Sequence, residues 1–175
     1  MNQEFVPNSQ RRLLLIALLS WLSMLGFDFV LHAGLLAKLY LHESPFLLPP
    51  TESFKRIPLG YLSFLLLTVL LLWLLTRLKL VGWRAGFGFG LKLGAFIWGA
   101  FVLGLFSIST ADVGLLLAWF FGQTSELAIA GAVTGAGLAG ERLPRLFAKV
   151  LAFILILVIV TVVLQSLGLA PAARP

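Results

Sequence analysis

The chain has no cysteine, only two histidines and only two tyrosines. Without a thiol there is no disulfide, no thiolate nucleophile and no Cys-ligated metal, and two histidines leave little for a metal site. Charge is scarce as well: Asp, Glu, Lys and Arg make up 11% of the residues, against roughly 25% in a soluble domain. Acids are the rarest, seven against thirteen Lys and Arg. No Gly-x-Ser-x-Gly elbow, no His-Glu-x-x-His and no paired metal-ligand spacing occurs, so an enzyme finds no positive support. Gly86, Gly88 and Gly90 are not a phosphate loop, because no strand precedes them and no Lys-Ser/Thr follows. The expectation is a chain without enzymatic activity and without a cofactor or metal.

Apolar side chains are abundant. They are 60% of the 175 residues, and the mean hydropathy is +1.03. Runs of about 20 apolar residues are long enough to cross the hydrocarbon core of a bilayer as helices, and here they fill most of the length. This predicts an all-α integral membrane helical bundle, one transmembrane domain over residues 1–175 with no room for a soluble one. The cations fall in short groups between apolar runs, where orientation signals belong. They read as topology signals and not as a nucleic-acid surface; the lipid bilayer is the expected partner.

Five spans are predicted, at about residues 13–36, 59–76, 87–106, 113–139 and 150–167. Residues 1–10 read as a loose terminus. The first apolar run exceeds the 7 to 15 residues of a signal-peptide core and is kept as a membrane helix. Residues 37–58 carry Pro45, Pro49, Pro50 and Pro58, which argues against a continuous helix there. His42 and Glu43 in that stretch read as a solvated loop. Tyr61 and Trp73 are expected near the ends of the second span, where amphipathic rings favour the interface. Arg142, Arg145 and Lys149, with Pro144 among them, are assigned to the last loop, and residues 170–175 to a disordered tail.

Glycines recur at Gly86, Gly90 and Gly94, and again at Gly131 and Gly135. Small residues at this spacing let a neighbouring helix come close, so these five are candidate packing positions, within the chain or between copies. Between them Ser107, Ser109, Thr110 and Asp112 form a candidate polar turn. They offer either helix caps or contacts to a cation or headgroup. If this turn is real, an N-terminus inside puts nine cations inside (Arg11, Arg12, Arg77, Lys79, Arg84, Lys92, Arg142, Arg145, Lys149) against four outside (Lys38, Lys55, Arg56, Arg174). A single crossing between residues 87 and 139 gives seven against six. The positive-inside rule prefers five spans, N-terminus in and C-terminus out.

Four polar residues within the predicted spans are candidates for chemistry. Asp28 and His32 are four apart and share a helix face; Gln123 and Glu126 share another at a spacing of three. An ionised carboxylate near the bilayer centre costs roughly 2.5 to 3.5 kcal/mol on the lenient insertion scale, so each acid must be paired, hydrated or protonated. If the two faces meet, they make one buried cluster of two carboxyls, an imidazole and an amide. Such a cluster suits proton-coupled transport. Hydrogen-bonded glue between helices explains the same residues, at about 0.6 kcal/mol a contact.

The segment Phe27-Asp28-Phe29-Val30-Leu31-His32, with Tyr40 about three turns on from Asp28, resembles the opening of small bacterial polytopic inner-membrane protein families of unknown function. The glycine-rich third span ending at Phe106 to Thr110, and Glu126 ahead of a small pair in the next, stand at similar places in those families. The resemblance covers about residues 27–140. It departs at Ser107 and Thr110, where an Asp and an Asn are expected, and a further apolar helix follows. What it implies is a bacterial cytoplasmic (inner) membrane location, with no activity attached. The leading expectation is a non-enzymatic accessory, assembly or homo-oligomeric membrane subunit; the alternative is a small proton-linked carrier using Asp28, His32 and Glu126.

Overall fold

The computed structural model describes residues 9–41 and 44–171, so the reading of residues 1–8, of His42 and Glu43 and of the tail from residue 172 lies outside the described residues. Within them the chain is helical with no strand: α1 Gln10–Val30, α2 Pro50–Arg77, α3 Trp83–Ile108, α4 Val113–Leu138 and α5 Leu143–Ser166. A π-helical turn, Leu31–Leu35, extends α1, and a 3-10 turn, Leu39–Leu41, follows it. All five helices are long and apolar enough to cross a membrane. The spans run from 24 to 27 residues, about 36 to 40 Å at 1.5 Å per residue, against a hydrocarbon core of about 30 Å.

The bounds differ from expectation by a few residues at several ends, α3 starting at Trp83 and α1 at Gln10, and three differences matter. α2 starts at Pro50, nine residues early, and holds Pro58 inside it. An interior proline removes one backbone hydrogen bond without ending the helix here, and Pro58 stands in the exposed stretch 53–60. Pro50 itself sits at the helix start, where the missing N–H has no intrahelical partner to lose. Tyr61 therefore lies well inside α2 and not at its end. α5 likewise starts early, with Pro144 in its first turn, so Arg145 and Lys149 are helical and not in a loop. Finally, α1 gives way at Leu31 to the π turn, in which the Leu36 N–H donates to the Leu31 carbonyl at 2.7 Å.

The closest helix pair is α3 with α4, and α1 packs against α4, α5 and α2. The glycines explain the first contact. A Cβ on Gly86 would overlap the Gly131 carbonyl, one on Gly90 the Leu127 carbonyl, and one on Gly131 the Gly86 carbonyl. Gly94 faces Thr124 Cα at 3.0 Å from where its own Cβ would stand. All five candidate packing glycines are therefore used within one chain, α3 against α4. Gly82, at φ 94° in the left-handed region glycine favours, donates its N–H to the Gly135 carbonyl of α4 at 2.8 Å, pinning the start of α3 to the end of α4.

The core clusters around Ile16, Met24, Phe64, Leu71, Leu75, Leu127, Ala130 and Leu138. Polar seams cross it. Ser20 Oγ and Thr134 Oγ1 share a buried hydrogen bond of 2.8 Å between α1 and α4. The Trp21 indole donates to the Tyr61 carbonyl of α2 at 2.9 Å. Arg12 Nη2 donates to the Gly137 carbonyl at 3.0 Å and the Glu141 carbonyl at 2.7 Å, meeting the negative end of the α4 dipole with a cation.

Candidate functional site

Two helices bring four polar side chains together near the middle of α4. Asp28 sits in the last turn of α1 and His32 in the π turn. At a spacing of four their side chains meet, with His32 Nε2 3.2 Å from Asp28 Oδ1. Across the α1–α4 seam stands Glu126, fully buried. One ligand-type atom from each of Asp28, His32 and Glu126 lies within 4.8 Å of the others. Gln123, one turn back on α4, donates from Nε2 to Glu126 Oε1 at 3.1 Å. The faces read from the sequence as separate pairs thus form one cluster.

The cluster continues toward the end of the bundle that carries the α1–α2 and α3–α4 connections. The Tyr40 hydroxyl is 2.6 Å from His32 Nδ1, and Trp119 Nε1 donates to that hydroxyl at 2.9 Å. An indole N–H can only donate, so the tyrosine oxygen accepts from Trp119. In the tautomer whose hydrogen sits on Nε2, facing Asp28, the phenol donates to His32 Nδ1 and the contacts run from Trp119 through Tyr40 and His32 to Asp28; in the other tautomer Nδ1–H donates to the phenol oxygen. Tyr40 lies outside the helical spans, and burial, opposed by the Trp119 hydrogen bond and reinforced by the nearby charges of Asp28 and Glu126, pushes its phenol up to about 12. It stays protonated at physiological pH. π turns often mark functional positions, and this one aims His32 at both neighbours.

Satisfaction of the polar groups is uneven. Glu126 Oε2 and Gln123 Oε1 are buried and make no hydrogen bond among the described residues, where almost all buried polar atoms do. Exposure falls along the chain, from 29% of the His32 side chain to 13% of Asp28 and none of Glu126. The open side is therefore the Tyr40 side. Two surface pockets lie at the opposite end, around Gly82, Trp83, Glu141 and Lys149, and no member of the cluster lines them.

The candidate polar turn resolves differently. Ser107 belongs to α3 and its hydroxyl donates to the Gly104 carbonyl at 2.7 Å. Ser109 ends α3, donating to the Leu105 carbonyl at 2.7 Å and accepting from the Ala111 N–H at 3.3 Å. Asp112 caps α4, its Oδ1 accepting from the Leu115 N–H at 3.1 Å. Thr110 is exposed in the turn. Helix capping accounts for Ser109 and Asp112, and the four do not converge on a site. Tyr40 is the member sequence reasoning did not assign to the cluster; Trp119, four positions before Gln123, extends the Gln123–Glu126 face. Seventy-nine positions separate Tyr40 from Trp119, and no local pattern links the two.

Compared with protein-family models, characterised proteins and solved structures, the chain matches none.

Proposed function

We propose that this chain is a small multi-pass protein of a bacterial cytoplasmic membrane, N-terminus inside and C-terminus outside, that acts without enzymatic chemistry as a proton-linked carrier through Asp28, His32 and Glu126. The observation that carries this is the convergence of two carboxyls and one imidazole from two helices, with a carboxylate oxygen and an amide oxygen left unpartnered beside them. Glue between helices is expected to satisfy its own donors and acceptors; this cluster keeps acceptor capacity in reserve. The five glycines pack α3 against α4 within one chain, which supports a packing role inside the bundle. The topology rests on the nine-to-four distribution of cations.

The test is proton movement into liposomes loaded with a pH-sensitive dye, under an imposed potential. Glu126→Gln and Asp28→Asn are expected to abolish the flux while the helical content and unfolding midpoint stay near wild type. Flux unchanged in both variants refutes the carrier. A non-enzymatic accessory or assembly subunit is the second reading, favoured by the described pockets lying away from the cluster. It predicts no flux in the wild type and a loss of stability in the same variants.

A further inference from the structure

We propose that Asp28, His32 and Glu126, completed by the amide oxygen of Gln123, bind one divalent transition-metal ion of the Zn2+ or Mn2+ kind. The proposal rests on the carrier reading for its role, as the ion such a carrier would hold or move, but the binding itself is independent of flux.

Charge favours it first. Two carboxylates and a neutral imidazole carry a charge of minus two, and one divalent ion brings the set to zero. In an interior where an unpaired carboxylate is costly, a neutral set is the arrangement that lets both acids remain ionised. A water molecule supplies hydrogen bonds but no charge. The donor set comes next. One imidazole nitrogen with carboxylate and amide oxygens suits zinc and manganese better than alkali ions, which do not favour nitrogen.

Geometry agrees with the donor set. Bonds of 2.0 to 2.2 Å put neighbouring tetrahedral ligands about 3.4 Å apart and opposite ligands at most about 4.4 Å apart. The His32 Nε2 to Asp28 Oδ1 separation is 3.2 Å, already that of two ligands on one ion. One atom from each of Asp28, His32 and Glu126 lies within 4.8 Å of the others, so these three need draw only slightly closer to share one ion, with Gln123 in contact with Glu126 beside them. The second observation is separate from the cluster's composition. Gln123 is 6% exposed and Glu126 is fully buried, their amide and carboxylate touch at 3.1 Å, and each keeps one oxygen without a hydrogen-bond donor. Two lone-pair donors held in a buried place call for a cation.

The outer contacts also fit. Metal-bound imidazoles commonly use the other ring N–H to contact an oxygen that fixes the ring. His32 Nδ1 has such a partner in Tyr40, itself held by Trp119. With the ion bound, the imidazole hydrogen is on Nδ1 and is donated to the Tyr40 oxygen, and the Nε2 lone pair faces the ion. The partly exposed His32 side chain gives the way in.

The experiment uses the full chain in nanodiscs, purification tag removed and metal stripped with chelator, titrated with Mn2+ while free Mn2+ is read by electron paramagnetic resonance. One site per chain is expected, competed by Zn2+, with imidazole nitrogen coupling in the pulsed spectrum. His42→Gln keeps that coupling and His32→Gln loses it. Glu126→Gln and Asp28→Asn each weaken binding about tenfold or more, and Glu141→Gln at the far end changes it less than twofold. No binding below millimolar Mn2+ or Zn2+, coupling that disappears with His42, or binding lost in Glu141→Gln overturns the site. Should either acid variant fold poorly, the wild-type coupling and its survival in His42→Gln decide alone. Flux without binding refutes the metal and keeps the carrier; binding without flux does the reverse.

Discussion

Gly90→Ala is the sharpest test of how the bundle holds together. In water an alanine in mid-helix is favoured over glycine by about 1 kcal/mol, so the substitution stabilises wherever the new methyl has room. At Gly90 it has none. The added Cβ overlaps the Leu127 carbonyl oxygen and stands 2.9 Å from the carbonyl carbon and 3.1 Å from Ala128 Cα. These are backbone atoms of α4 and cannot swing aside, so α3 and α4 must part by something on the order of 1 Å. A gap of that size forfeits a quarter to a half of each dispersion contact along the crossing, and forced overpacking typically costs about 1 to 3 kcal/mol. Between apolar helices in lipid, packing of this kind supplies much of the association energy. Gly88→Ala and Gly104→Ala are the controls: both sit in α3 with nothing within 4 Å of the new Cβ, and each should be neutral or stabilising by up to about 1 kcal/mol. The assay is reversible unfolding in mixed detergent micelles, followed by circular dichroism. Gly90→Ala should lie about 2 kcal/mol or more below Gly88→Ala, with a midpoint independent of protein concentration. Equal stability of the two refutes the close-packed seam. A concentration-dependent midpoint shows that the glycine face joins separate copies instead.

Two further outcomes follow from the contacts at either end. Arg12→Ala removes the hydrogen bonds to the Gly137 carbonyl in the last turn of α4 and to the Glu141 carbonyl just beyond it and should lower stability by about 1 to 2 kcal/mol, read in the same unfolding assay; Arg12→Lys, with one compact ammonium, should recover only part, and full stability in the alanine variant sinks the capping role. Tyr40 has a folded-state pKa raised from near 10 to about 12, so the folded chain holds its phenolic proton where the unfolded chain has lost it. Its contribution to stability is complete below pH 10 and is lost as pH rises toward 12. The tyrosinate absorbance that Tyr40→Phe removes should appear near pH 12, and its appearance near pH 10 contradicts the buried relay.

Helix number was legible because it depends on composition over windows of about 20 residues, and α1 to α5 each pass that test independently. Helix ends were not, because proline carries two meanings. Pro50 and Pro144 read as breakers in sequence but stand in first turns, where an absent N–H costs nothing. Pro58 lies inside α2 among exposed residues, where its ring removes one hydrogen bond without ending the helix. The glycine spacing announced close packing but not its partner. A pattern of Gly86, Gly90, Gly94 matched to Gly131, Gly135 is equally consistent with α3 meeting α4 or with two copies meeting, and only the crossing resolves it.

The site was half legible for a related reason. A pair at a spacing of three or four is fixed by the helix itself, so Asp28 with His32 and Gln123 with Glu126 could be read as faces. What joins the faces is tertiary. Ser20 and Thr134 lie two turns away on the same α1–α4 seam and lock its register, which sets Asp28 opposite Glu126. The π turn is the other determinant: it adds a residue to the turn at Leu31–Leu35 and sets the direction in which the chain leaves α1, and it is there that Tyr40 reaches His32 Nδ1. Trp119 can only donate to Tyr40, and in the tautomer with its hydrogen on Nε2, His32 donates to Asp28. In that tautomer Asp28 has its donor, while its neighbour Glu126 has a single amide contact and a free oxygen. That asymmetry, and not the count of polar residues, is what the proposed proton or cation site rests on.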